Sequence, residues 1–139
     1  MISGLSHITL IVKDLERTGR LFKELFDAKE LYASGDATFS LSREKFFSVC
    51  GLWFCIMEGE PLPKQTYNHI AFQIPEEAFL QCAVKIRQLG LQEKPGRPRV
   101  DGEARSLYFY DYDNHLFELH TGNLAERLKR YSQGNHPAE

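Results

Sequence analysis

Little in this sequence points to a membrane, a nucleic acid or an oxidising compartment. No apolar run approaches the roughly 20 residues that a membrane-spanning helix needs. The opening MISGLSHITL has neither the basic start nor the small-residue cleavage site of a secretory signal. Lysine and arginine together number 17 against 19 aspartates and glutamates, a formal net charge of -2. Without a basic surface, no nucleic-acid or anionic-membrane partner is expected. The three cysteines, Cys50, Cys55 and Cys82, form no CxxC pair and cannot all pair internally. They read as reduced thiols of a cytoplasmic protein, with Cys55 and Cys82 buried. The glycine motifs of nucleotide sites, GxGxxG and GxxxxGK, are absent as well.

What is there is a repeat. The stretch LSHITLIV (5–12) is rich in β-branched residues and reads as a strand. Asp14 follows as a helix N-cap, and Leu15, Thr18, Phe22, Leu25 and Phe26 recur at helical spacing. AKELYAS, TFSLS and LWFCIME then read as three short strands. The same order returns after the linker MEGEPLPKQT (57–66). NHIAFQI is a strand, and Pro75 with Glu76 opens a helix. Its apolar stripe is Phe79, Cys82, Ala83, Ile86 and Leu89, and Gly90 ends it. LQEKP, RSLYFYD and HLFELHT supply the last strands. The expected fold is α+β: two tandem β-α-β-β-β modules, about 2–60 and 66–122, within a single domain of residues 1–139, with a C-terminal helix and tail over 123–139.

Within that repeat, His7 and His69 occupy the matching place of two similar strands, 62 residues apart. Side chains alternate along a strand, so His7 shares a face with Thr9, and His69 with Ala71. Glu118, set in LFELH, shares a face with His120. A carboxylate among apolar neighbours is expected to face something positive, because an unpaired buried charge is costly. With pseudo-twofold symmetry, two imidazoles and one carboxylate would converge and leave coordination positions open, the condition of a catalytic metal. His115 follows the turn DYDN and is expected in solvent; His120 could orient Glu118 by a hydrogen bond.

The paired modules, with SHITLIV, NHIAF and YFYDYDNHLFELHTGNLAERL, resemble the vicinal oxygen chelate superfamily. Within it the chain is similar to the fosfomycin-resistance proteins over residues 2–131, and FYDYDNHLFELHTG is the most specific stretch. FSLSREKFFSVCGLWFCIM resembles the water-using branch, the FosX type of epoxide hydrolase. The resemblance implies a metal-centred, partly open barrel in a domain-swapped homodimer. It implies that His7, His69 and Glu118 are the ligands, that the ion is Mn²⁺, and that no organic cofactor or thiol co-substrate is needed. Because Pro98 and Gly102 stand where the thiol-transferring branch carries a lysine and a serine, no potassium is expected. Glu44, which by itself would pass as one charge in a solvated loop, would be the base that activates water. Thr9 stands where the branch using a small bacterial thiol tends to have cysteine. Thr9, Ser106, Tyr108 and Arg127 match phosphonate-contacting positions, and Arg97 or Arg99 would supply a further cation from the loop EKPGRPRVDGEARS. The implied activity is hydrolysis of the fosfomycin epoxide to a vicinal diol. The alternatives are a thiol transferase acting on fosfomycin and a non-catalytic drug-sequestering protein of the same superfamily.

Overall fold

A computed structural model describes residues 1–99 and 104–133, and its chain divides into two units. Unit 1 is Met1–Lys64 with Tyr112–Asn114; unit 2 is Gln65–Asp111 with His115–Glu139. In unit 1, strand β1 (His7–Val12) is followed by helix α1 (Leu15–Phe26) and strands β2 (Lys29–Ala33), β3 (Glu44–Val49) and β4 (Leu52–Glu58). The strand order is β1-β4-β3-β2, with β1 parallel to β4 and the other pairs antiparallel. Unit 2 repeats this with β5 (His69–Gln73), α2 (Phe79–Gln88), β6 (Gln92–Lys94), β7 (Ser106–Tyr110) and β8 (Leu116–His120), in the order β5-β8-β7-β6. Helix α3 (Leu124–Ser132) follows. The β-α-β-β-β repeat is therefore real down to strand order, and neither four-stranded sheet closes on itself.

Local chemistry explains most boundaries. The Asp14 carboxylate accepts from the Arg17 amide at 3.0 Å, capping α1 as its sequence suggests. Asp27 ends that helix in the left-handed region at φ 52°, and Gly90 (φ 68°) follows α2. Two expectations need correction. The α2 region starts with a 3-10 turn at Glu76–Ala78, so Pro75 caps that turn and the α-helix begins at Phe79. TFSLS is not a strand: Phe39 and Leu41 are exposed, and the strand between β2 and β4 is EKFFSV instead. That register buries Phe47 and Val49 and pairs β3 on both edges, which TFSLS could not do without leaving those side chains in water. It also lifts Glu44 out of a loop and onto a sheet.

One face of each sheet is covered by its helix. In unit 1, Phe22 packs against Phe47 and Phe54 with ring centroids 5.4 and 5.7 Å apart, and all three are fully buried. In unit 2, Phe109 and Phe117 stack at 5.7 Å and are buried, as are Ile86 and Leu119. The other face of β1 and β5 stays open: His7, Thr9 and Ile11 alternate outward against buried Leu10 and Val12. Removing the Phe54 ring leaves a cavity that this cluster cannot collapse into. Phe54→Ala is therefore expected to lower unfolding stability by about 3–5 kcal/mol, read from urea denaturation.

Lys45 points into the helix-covered side and is buried, held by Glu16 at 2.9 Å and Glu30 at 3.1 Å. Burial disfavours its charge, yet the two carboxylates raise its pKa above the ordinary 10.5. The same Lys45 hydrogen bond holds Glu30 below its ordinary 4.5, against some desolvation and with help from Lys23. A depressed carboxyl stabilises the fold above its unfolded pKa and loses that contribution as pH falls through the folded one. Lowering pH from about 6 to about 3 should thus destabilise the protein, and Lys45→Met should flatten that decline in urea melts.

Candidate active site

The open face of unit 2 carries most of the residues singled out in the sequence. Register places Ala71 beside Glu118, and Glu118 beside Tyr108, on neighbouring strands. His69 Nε2 lies 3.1 Å from Glu118 Oε1. Its Nδ1 is 2.7 Å from the Tyr67 carbonyl, which can only accept, so Nδ1 carries the proton. In the neutral ring, Nε2 then presents a lone pair to a carboxylate oxygen that is also an acceptor. Two acceptors at that distance require a positive species between or beside them, either a proton or a metal cation. A neutral imidazole with Nδ1–H bound to a backbone carbonyl is the arrangement seen in metal-ligating histidines. The donor set of His69 and Glu118 therefore fits a divalent cation.

Glu118 is almost fully buried, and burial alone would raise its pKa. Hydrogen bonds from Ser106 and Tyr108, with the imidazoles of His120 and His69 nearby, outweigh that and hold it below 4.5. Ser106 Oγ donates to Glu118 Oε2 at 2.5 Å and lies 2.7 Å from His120 Nδ1. His120 Nε2 in turn lies 3.4 Å from Arg127 Nη2. Tyr108 receives hydrogen bonds from Tyr67 at 3.2 Å and Arg99 at 3.4 Å. Its hydroxyl is pushed above the ordinary value of 10, by burial first, then by the Tyr67 hydrogen bond and the Glu118 charge, so it stays protonated as a donor.

The two loop arginines separate. Arg99 Nη2 lies 3.7 Å from Glu118 Oε2 and also reaches Tyr108. Arg97 turns the other way, donating to the Pro98 carbonyl at 3.0 Å and the Tyr131 hydroxyl at 3.2 Å. The rest of that loop, 100–103, lies outside the described residues. His115 is not in solvent as its turn context suggested. Its side chain is 12% exposed and its Nδ1 meets Asp111 Oδ2 at 2.8 Å, because the carboxylate beneath the turn needs a partner.

Unit 1 presents the same backbone positions with different chemistry. His7 lies over Trp53, ring centroids 4.3 Å apart, and Ser6 Oγ is 2.9 Å from its Nδ1. Thr9 pairs with Cys55, and Cys55 with Phe46, as Ala71 pairs with Glu118 and Glu118 with Tyr108. Cys55 thus holds the place that Glu118 holds in the other half. Its thiol is pushed up to about 11, by burial first and by the Glu44 charge second, against a hydrogen bond from Thr9. Glu44 pairs with Met57 as Ser106 pairs with His120, so Glu44 and Ser106 are equivalents. Glu44 is 8% exposed, and its Oε2 is buried without a hydrogen-bond partner among the described residues. Among the described residues, no group of three or more His, Cys, Asp and Glu side chains gathers into a metal-binding set within the chain.

Sequence reasoning missed Tyr67, Trp53 and Cys55. Tyr67 precedes His69 by two residues, which in an extended chain is the signal that puts both on one face. No family model matches the chain. The fosfomycin resistance protein FosX of Listeria monocytogenes is 64% identical over 133 residues, spanning 96% of this chain and 100% of the relative. The chain belongs to the FosX fosfomycin-resistance family. A solved structure of an E126Q mutant of the Listeria FosX, complexed with Mn(II) and 1S,2S-dihydroxypropylphosphonic acid, superposes with a TM-score of 0.87 at 60% identity. It covers 94% of this chain and 99% of that one. The metallothiol transferase FosB of Bacillus licheniformis is more distant: 34% identical over 134 residues, 94% of this chain and 82% of FosB.

Arg99 thus reaches the Tyr108–Glu118 cluster, whereas Arg97 bonds Pro98 and Tyr131. Arg99→Ala should weaken binding of a small phosphonate by about tenfold or more, the loss of one charge-assisted contact. Arg97→Ala should leave that affinity nearly unchanged; isothermal titration with methylphosphonate separates the two.

Proposed function

We propose that this chain hydrolyses the epoxide of fosfomycin to a vicinal diol in a Mn(II)-dependent reaction. The observation that carries this reading is the buried, unpartnered carboxylate oxygen of Glu44 on the same sheet face as His7. A buried acceptor with no partner costs stability, so it calls for a functional reason. A water molecule to be deprotonated supplies one. A thiol-using enzyme, whose nucleophile ionises by itself, has no need of it. The much higher identity to FosX than to FosB supports the same choice.

In this reading His7, His69 and Glu118 hold the metal, which supplies Lewis acidity at the opening epoxide. Glu44 removes the proton from the attacking water. Tyr108, with Arg99 and Arg127, presents hydrogen-bond donors and positive charge to the phosphonate, while Thr9 and Ser106 line the same faces. Ser106 and Tyr108 also serve Glu118 directly, which ties substrate contacts to the metal ligand. We assign His7 of one copy to the His69 and Glu118 of a second copy in a homodimer. The open face of β1 and β4, where Ile11 and Trp53 are exposed beside His7, supports such a partner. No helix among the described residues is long and apolar enough to cross a membrane, and a cytoplasmic location is proposed with the free thiols.

Phosphorus NMR of fosfomycin with the protein tests this. Diol is expected with Mn²⁺ and no thiol, and its formation should stop with a chelator. Glu44→Gln should keep Mn²⁺ binding and lose about 10²–10⁴-fold in turnover. An adduct that forms only with a thiol present would overturn the hydrolase reading.

A further inference from the structure

The chain of contacts running through His120 is not used by the mechanism above. Its proton directions follow from the atoms themselves. Ser106 Oγ donates to Glu118 Oε2, so its single proton is spent there. The Ser106 oxygen must then accept from His120, 2.7 Å away, which fixes the proton on Nδ1. That leaves the His120 Nε2 lone pair to receive Arg127 Nη2 at 3.4 Å. Every donor points the same way, from guanidinium to imidazole to hydroxyl to carboxylate. Such aligned chains polarise one another.

The surroundings keep His120 in place. Its side chain is 12% exposed. At Gly122 an added Cβ would lie 2.6 Å from the Ala104 Cβ and 3.1 Å from His120 Nε2, so the chain closes tightly over the ring. Arg127 lies on α3, whose start is fixed by Asn123 accepting from the Glu126 amide at 2.9 Å. The imidazole is therefore the link between an arginine on the C-terminal helix and the carboxylate on β8.

We propose that His120 is a positioning residue, which holds Ser106 against Glu118 with one nitrogen and Arg127 toward the phosphonate with the other. The proposal rests on the metal and phosphonate assignments above, and it makes the two sites thermodynamically coupled through one side chain. Because each nitrogen has its own task, the tasks can be separated. In His120→Asn the amide nitrogen takes the place of Nδ1 and can donate to Ser106, but the shorter side chain has no second ring nitrogen for Arg127. In His120→Ala both contacts are lost.

The test is Mn²⁺ binding, followed by the electron paramagnetic resonance of free ion, and methylphosphonate binding to the Mn²⁺-loaded protein by calorimetry. His120→Ala should weaken Mn²⁺ binding about tenfold or more, as removal of a ligand's hydrogen-bond partner does. Ser106→Ala should do at least as much, and the double variant should be no worse than Ser106→Ala alone, because His120 acts through Ser106. His120→Asn should bind Mn²⁺ nearly as wild type yet bind methylphosphonate about fivefold more weakly. Circular dichroism of each variant checks that it folds; should His120→Ala fail to, the split between the two affinities in His120→Asn decides alone. Unchanged Mn²⁺ affinity in folded His120→Ala, losses that multiply in the double variant, or equal losses of both ligands in His120→Asn would overturn the proposal. Failure of the wild-type protein to bind Mn²⁺ would instead overturn the metal assignment on which it rests.

Discussion

His69 Nε2 and Glu118 Oε1 stand 3.1 Å apart while the ring's proton is committed to the Tyr67 carbonyl. Much of unit 2 follows from keeping these two groups together. A carboxylate buried at that depth would ordinarily take up a proton. Here Ser106 and Tyr108 donate to it, and each donor is itself supported, Ser106 by His120 and Tyr108 by Tyr67 and Arg99. Ser106 bonds one oxygen of Glu118, Oε2, while the other, Oε1, lies at the His69 imidazole. In the proposed mechanism the same residues would face a metal and an anion at once, which is what a phosphonate substrate of a metal enzyme requires.

The duplication explains how a small chain could carry both the proposed ligand set and the proposed base. Strand register maps Glu118 onto Cys55 and Ser106 onto Glu44. One half places its carboxylate on the strand next to the histidine strand, where hydrogen bonds from the neighbouring strand serve it. The other half places its carboxylate one strand further out and gives the inner position to a neutral thiol. Had Cys55 been acidic, two carboxylates would face each other on one sheet side and raise each other's pKa. The high thiol pKa of about 11 keeps that position uncharged beside Glu44.

The sequence carried the repeat, the capped first helix and the paired histidines plainly, because each depends on local periodicity or on a single side chain next to the backbone. His7 and His69 were legible since strand alternation fixes which face a residue takes. Glu44 was harder. The charged pair Glu44–Lys45 hides the start of a strand whose inward face is Phe47 and Val49, and only pairing to β2 and β4 reveals it. His115 was misread for a related reason: its partner Asp111 lies four residues back, and a turn looks solvent-exposed until its buried carboxylate is located. The choice between Arg97 and Arg99 depends on a tyrosine from α3, 34 residues away, that no local pattern signals.

In the proposed mechanism, the orphaned oxygen of Glu44 is what separates water chemistry from thiol chemistry. A folded chain seldom buries a carboxylate oxygen without a donor, and a nearby serine or backbone amide could have been recruited; Ser34 already bonds the Glu44 amide nitrogen, not its side chain. Leaving Oε2 unsatisfied means that the first donor to reach it gains the full hydrogen bond. A water brought there becomes both ordered and polarised by the same contact, which lowers the entropic and the proton-transfer cost of attack together. A thiolate nucleophile would gain nothing from such an acceptor, so in the proposed mechanism Glu44 would select the nucleophile as well as activate it.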